Sequence, residues 1–496
     1  MKKQHVDNGF RKVLKATSLF GGVQVVNILI SLARSKFVAV LIGPSGMGIL
    51  GLLNSTLYLV NSGTQLGLDK SAVKELSYAK KNEGEEAVSR QAAILKRLVW
   101  GTIVIGMLIM IIGAPWFSQW AFDADTFTTP IRWLALAVLF TQLTKSRLAI
   151  LQGLQKHAPL AKANVLGNFI ALALTIPLYY FYGIDAIVPV IIIASAISLI
   201  VTLYFSERIS LPKTRVSNAV ALQEGKGMIG LGVTLSVSGL IALLTTYLLQ
   251  IFISYQSGTA EVGFYNAGIV ILNTYVGMVF TAMATDYFPR LSALSDDILR
   301  IRQTVFEQAY IAVLLLVPIV VVFTAFAPFI INVLYSDAFD PTATFVRWGI
   351  LAMLLRAVSW SMGYIIIAKG DSRLFIKTAI GFNALLLGLN LLGYYYWGFV
   401  GLGISFIVHY SLHAVGMFLI TRWRYQFYFP SGFSGIFFGS VVLCVVAFLV
   451  SFVENTFWRY FAHVLLILIA SGYSIYFLDR KIKLRTWIRS YLGRNK

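Results

Sequence analysis

The sequence predicts an all-α polytopic membrane protein with about 14 transmembrane helices, built as two pseudo-symmetric six-helix lobes plus two C-terminal helices. Three observations predict it. Of the 496 residues, 58% are hydrophobic and only 12% are charged, about half the charged share of a soluble domain. The apolar residues fall in runs of about 20 or more, the length that crosses about 30 Å of hydrocarbon at 1.5 Å per residue. The two halves of the chain also match in one ungapped register, displaced by 215 residues.

The basic N-terminus, MKKQHVDNGFRKVLK, leads into a long apolar run with no small-residue cleavage site after a short core. It reads as an uncleaved first helix rather than a signal peptide. Successive spans are expected near 14–42, 46–67, 96–118, 131–152, 160–182, 184–205, 228–255, 262–285, 307–333, 343–367, 374–396, 399–421, 433–453 and 459–478. None shows the alternation of a transmembrane barrel.

Most of the 41 Lys and Arg residues lie at the two termini and in the even-numbered loops. Those loops are Lys70 to Arg97, Lys145 to Lys162, Arg208 to Lys226, Arg290 to Arg302, Lys369 to Lys377 and Arg422 to Arg424. The opposite loops carry mainly acids, among them Asp123, Asp125, Asp185, Glu261, Asp337 and Glu454. The positive-inside rule therefore puts the even loops and both termini in the cytoplasm. The net charge of +20 is a consequence of topology and does not point to nucleic acid. Trp116 and Trp120, Tyr179 to Tyr182, and Tyr394 to Trp397 fall at predicted outer ends, where an aromatic belt belongs.

The repeat fixes the domains. GPSGMG at 43–48 falls on GTAEVG at 258–263, Leu76-Ser77 on Leu291-Ser292, and Arg132-Trp133 on Arg347-Trp348. Asn168 falls on Asn383, and YFYG at 180–183 on YYWG at 395–398. Six spans per repeat return the chain to the same side, so the lobes share one orientation, as in parallel-repeat transporters. The expected division is an N-lobe at 1–205, a cytoplasmic linker at 206–227, a C-lobe at 228–421, and an added helix pair with a basic tail at 422–496. Two such lobes around a midplane site suit rocking between inward-open and outward-open states.

Several chemistries are not predicted. No outer loop exceeds about 15 residues, too little for the extramembrane domain of a membrane glycosyltransferase or polymerase. There is no Walker loop, no Ser-His-Asp order and no metal-ligand spacing. The single cysteine, Cys444, lies inside an apolar run, which precludes a disulfide within the chain. No enzyme activity, cofactor or metal is expected.

What the spans do contain is positive charge. Arg34 and Lys36 lie in the outer half of span 1, Arg356 near the middle of span 10, and Lys145 just inside the middle of span 4. Each cation costs about 2.5 kcal/mol or more at a helix centre. In the repeat register they fall on Leu249, Ile251, Thr141 and Trp360, so they are not relics of the shared scaffold. Acids are nearly absent from the spans; Asp69 and Asp286 sit only at inner ends. With no acids to pair them, the four cations suit a hydrated cavity or an anionic ligand, or else snorkelling and bonds to backbone carbonyls, and they are the candidate binding residues for an anionic substrate. His409 and His413 share a face of span 12 and are candidates either for proton coupling or for bonds between helices. Asn54, Asn61, Gln65, Asn266 and Asn273 recur at helical spacing and suit either sugar hydroxyls or neighbouring helices.

GPSGMGIL followed by an apolar span and a basic loop, then EVGFYNAG with DYFPRLSAL, VLYSDAFDP and the AKGDSR turn, resemble the polysaccharide translocases of the Wzx type. These include the flippases for O-antigen and enterobacterial common antigen units, within the multidrug/oligosaccharidyl-lipid/polysaccharide exporter superfamily. The resemblance covers about residues 12–421. It implies an inner-membrane flippase that moves undecaprenyl-diphosphate-linked oligosaccharide from the cytoplasmic to the periplasmic leaflet by alternating access. It also implies membrane lipids, a polysaccharide polymerase and a chain-length regulator as partners. A multidrug-type cation antiporter, a peptidoglycan-precursor flippase of the same superfamily and a non-transport envelope-assembly scaffold are the alternatives.

Overall fold

The structure, a computed structural model, describes the backbone of residues 2–482 apart from 210, 211, 213, 295 and 296, and side chains from Val26 onward apart from 285 and 482. The basic tail beyond 482 lies outside the described residues. Among those described, every regular element is helical.

Ten helical stretches are long and apolar enough to cross a membrane, and a pair bent by 47°, Pro341–Gly349 with Ala352–Ala368, makes an eleventh. Three of the ten, Val26–Gln65, His157–Ser206 and Ser372–Tyr425, have 40, 50 and 54 residues, each enough for two crossings. Each is broken at one glycine of positive φ: Gly43, Gly183 and Gly398. Counting those three twice gives fourteen passages, the number expected from hydropathy. The chain is a multi-pass membrane protein.

Backbone geometry carries the repeat as clearly as the sequence does. Gly43 (φ 65, ψ −173) and Gly258 (φ 88, ψ 176) share one conformation. Gly183 (φ 53, ψ −128) and Gly398 (φ 55, ψ −131) share another. Each pair is separated by the same 215 residues. These are left-handed backbone values that a Cβ disfavours, so the register is fixed by stereochemistry. Pro44 after Gly43 reinforces the break, because a residue before proline avoids the helical region and proline suits a helix start.

Two compact units form, residues 1–263 and 264–496. The boundary falls beyond the segment 206–227 that the repeat picks out. The first unit contains α1 (Lys2–Gln65), α2 (Leu68–Asn82), α3 (Glu85–Phe122), α4 (Thr128–Gly153), α5 (His157–Tyr182), α6 (Ile187–Ser206), α7 (Asn218–Glu224) and α8 (Lys226–Ser257). Helix α8 packs on α1 and α2. Gly67 abuts the Gly232 carbonyl, and the hydroxyls of Thr56 and Tyr247 are hydrogen-bonded at 2.8 Å.

The connector α2 shows how a polar loop becomes a helix. Leu68, Ala72, Leu76 and Ala79 form one buried face at helical spacing, packed on Ile94, Leu95 and Leu98 of α3. Its outward side chains serve the end of α4. Ser77 donates to the Gly153 carbonyl at 3.0 Å and Lys80 to that of Leu154 at 2.7 Å, satisfying acceptors that a helix terminus leaves open.

The second unit holds the end of α9 (Thr259–Val270), then α10 (Met278–Ser292), α11 (Ile298–Leu334), α12 (Pro341–Gly349), α13 (Ala352–Ala368), α14 (Ser372–Tyr425), α15 (Phe433–Val450) and α16 (Thr456–Ile482). Helix α11 is its core. Its buried positions run from Ile301 to Ile331, and α10, α12, α13, α15 and α16 all pack on it. The C-terminal pair docks there through Tyr310, whose hydroxyl donates to the Phe477 carbonyl at 2.9 Å, and through Phe326 stacked on Tyr460.

Asp371 starts α14. It accepts from the Leu374 amide at 3.2 Å, and Tyr425 and Arg424 at the far end of the same helix also donate to it. The Leu374 amide, then Tyr425 and Arg424, hold its carboxyl below the usual carboxylate range. A depressed pKa contributes stability that is present above the unfolded value, about 3.9, and is lost as pH falls through the folded one. Asp371→Ala is accordingly expected to lower the melting midpoint at pH 7, with the gap to wild type closing as the pH falls below about 4. Thermal unfolding against pH checks it.

Candidate functional site

The site is built from Arg356 on α13. Its Nη1 donates to Asn273 Oδ1 at 2.6 Å. Asn273 lies in a π-helical turn, Ile271–Val276, between α9 and α10. Such widened turns are rare and recur at functional sites, because they displace a side chain from its α-helical position. The guanidinium lies 5.1 Å from the Phe280 ring centre and 5.6 Å from that of Tyr410, with the Met353 sulfur at 3.9 Å. Among the described residues no carboxylate bonds it. A neutral amide and ring faces hold the side chain in place and leave its charge uncompensated.

His409 and His413 stand beside it on α14, their ring centres 5.7 Å apart and nearly parallel, within electrostatic range of Arg356. Tyr410 lies against both. Their Nδ1 atoms are buried without a hydrogen-bond partner among the described residues. The two histidines therefore do not serve as interhelical bonds through Nδ1. They line a cavity of about 320 Å³ with Trp360, Tyr364, Phe382, Tyr410 and Asn383.

The first unit holds the other cations. Lys145 Nζ donates to Gln65 Oε1 at 3.2 Å. Gln65 is 2% exposed, and Asn61 one turn earlier is 1% exposed; Gln65 Nε2 and both polar atoms of Asn61 have no partner among the described residues. Nearby positions of the same helices carry a closed chain, in which Gln142 donates to Thr64 at 2.9 Å and accepts from Thr102 at 2.8 Å. Arg34 is exposed on α1 and makes no side-chain hydrogen bond among the described residues, but lies within electrostatic range of the buried Tyr179. Lys36 is half-buried. The structure thus groups Arg356 with His409 and His413, and Lys145 with Gln65, whereas Arg34 stands outside both groups.

The repeat register exposes a chemical division. Gln65 and Lys145 fall on Phe280 and Trp360, which are in contact at 5.4 Å. One contact of the shared scaffold is a polar pair in the first unit and an aromatic pair in the second. A second scaffold contact sets small residues, Gly167 against Ser198, where the second unit has the rings of Phe382 and His413 at 4.3 Å. The sequence signals the cations but not these partners, because hydropathy reports depth in a span and not which helix a side chain faces.

The outer aromatics divide too. Trp116, Trp120, Tyr180 to Tyr182 and Tyr395 to Trp397 are all more than half exposed, as a belt requires. The register-matched Tyr179 and Tyr394 are buried and belong to the packing.

Residues 37–344 match the family model described as polysaccharide biosynthesis protein. The lipid III flippases of Escherichia coli (strain K12) and Shigella flexneri are each 21% identical over 436 residues, covering 83% of this chain and 99% of theirs. Among solved structures, an inward-facing multidrug resistance MATE family transporter of the MOP superfamily aligns with a TM-score of 0.69 at 14% identity, over 80% of this chain and 94% of its own. The lipid II flippase MurJ in an inward closed conformation aligns with a TM-score of 0.61 at 13% identity, over 95% of this chain and 100% of its own. The latter share is larger than the chain up to residue 421 can fill, so that fold extends into the α15–α16 pair.

Proposed function

The chain belongs to the polysaccharide biosynthesis protein family, and we propose that it is a lipid-linked oligosaccharide flippase. It moves the diphosphate-sugar head of an undecaprenyl-linked unit from the cytoplasmic to the periplasmic leaflet while the tail stays in lipid. No bond of the substrate changes, so the protein is not an enzyme. The observation that carries this reading is Arg356, an intramembrane cation held by an amide and two aromatic faces with no acid to neutralise it. An uncompensated guanidinium at such depth is costly and suits a ligand that brings its own negative charge, and its planar fork fits phosphate oxygens.

Lys145, with the free amide groups of Gln65 and Asn61, supplies donors on the first unit. Arg34 and Lys36 would meet the head nearer the outer face. The lysine and arginine distribution supports a cytoplasmic location for both termini. The released unit would pass to a polymerase and chain-length regulator. A cation antiporter is disfavoured by the same observation, since its site needs a carboxylate where this one presents Arg356.

Removing the gene tests the assignment. Lipid-linked saccharide is expected to accumulate on the cytoplasmic leaflet, read by protection from a periplasmic labelling reagent. Increased susceptibility to organic cations without such accumulation would support the antiporter instead.

A further inference from the structure

We infer that the aromatic cavity of the second unit binds the sugar ring attached directly to the diphosphate, so that this unit recognises a glycosyl phosphate. The inference rests on the flippase reading and adds which sugar is read, and where.

The lining has the two properties a pyranose needs. Trp360, Tyr364, Tyr410 and Phe382 supply ring faces for the apolar C–H face of a sugar. Asn383 and the imidazole side chains of His409 and His413 line the same cavity and supply polar groups for its hydroxyls. His409 is 5% exposed. The volume, about 320 Å³, is at the small end of ligand cavities and accommodates a single sugar ring. No carboxylate lines it, which disfavours an organic cation. Arg356 flanks the cavity across Tyr410, so a phosphate on the guanidinium would leave its attached sugar facing the aromatic walls.

Packing alone does not require these side chains. The register-matched positions of the first unit, Lys145, Gly167, Ala194, Ser195 and Ser198, stand where the second has Trp360, Phe382, His409, Tyr410 and His413. The shared scaffold folds with small or polar residues there, and only the second unit carries the aromatic and imidazole set.

Saturation-transfer NMR on the purified full chain, with glucose 1-phosphate, galactose 1-phosphate and N-acetylglucosamine 1-phosphate as probes, tests this. At least one probe is expected to show transfer to its ring protons, with inorganic phosphate competing only partly. His413→Ser installs the residue that the first unit tolerates at the same place; it and Trp360→Leu should weaken binding about tenfold or more at an unchanged melting midpoint. Arg356→Gln should keep the ring signal but remove the preference for the phosphate ester over the free sugar. Transfer to no probe, or equal binding by wild type, His413→Ser and Trp360→Leu, overturns the inference. Binding with these signatures but no translocation in vesicles would sink the flippase reading and leave the cavity assignment standing. Translocation unaffected by either cavity substitution would do the reverse.

Discussion

Arg356→Ala is expected to slow head-group translocation by about 10- to 100-fold without destabilising the protein. A charge-assisted hydrogen bond contributes about 1.5–3 kcal/mol, and each 1.4 kcal/mol is a factor of ten in rate. The effect on folding runs the other way. Arg356 costs free energy where it stands, and its bond to Asn273 returns only part of that. Arg356 is half-buried, and replacing a charge taken partly out of water by an apolar group is often neutral or stabilising. Arg356→Met should therefore melt at or above the wild-type midpoint while transporting as poorly as Arg356→Ala. Arg356→Lys keeps the charge but not the fork and should recover part of the rate. A drop in rate that tracked a drop in melting midpoint across these variants would reduce Arg356 to a structural residue.

Gly48→Val is expected to abolish folded protein. A Cβ at Gly48 would lie 1.7 Å from the Thr259 carbonyl oxygen, and one at Gly263 would lie 2.1 Å from that of Pro44. Gly48 and Gly263, like Pro44 and Thr259, are related by the repeat offset, so the start of the second half of α1 and the start of α9 meet through a local pseudo-two-fold contact. Both clashing atoms are backbone, and no side-chain rotation relieves them. Overpacking that a core can absorb costs about 1–3 kcal/mol; here two helix starts must separate. Gly48→Ala should already lower the yield of folded protein sharply. Gly101→Ala is the control: nothing lies within 4 Å of its Cβ, and the substitution should be neutral or slightly stabilising. Size-exclusion profiles and melting midpoints read both.

The GPSGMG turn is legible as a repeat from sequence because its outer glycines serve the backbone: Gly43 and Gly258 take positive φ, and Gly48 and Gly263 leave no room for a Cβ. The number of passages followed from hydropathy for a similar reason, since the bilayer sets a length that composition must meet. The cations were visible because charge in an apolar run is rare. Their settings were not. Asn273 reaches Arg356 from a π-helical turn, and such a turn leaves no periodic signal. His409 and His413 could be placed on one face of span 12, but which neighbours that face meets depends on how three helices pack. Helix α8 reads as the first span of the second repeat, yet it packs in the first compact unit, because helix neighbours follow from side-chain fit and not from chain order.

The most direct test is translocation by the purified protein in vesicles carrying a fluorescent polyprenyl-diphosphate saccharide, with outer-leaflet label quenched over time. The wild-type chain should move the head group across the bilayer, and Arg356→Ala, equally well folded, should do so about 10- to 100-fold more slowly. Wild-type protein that leaves the lipid in its original leaflet, or Arg356→Ala at the wild-type rate, would contradict the account.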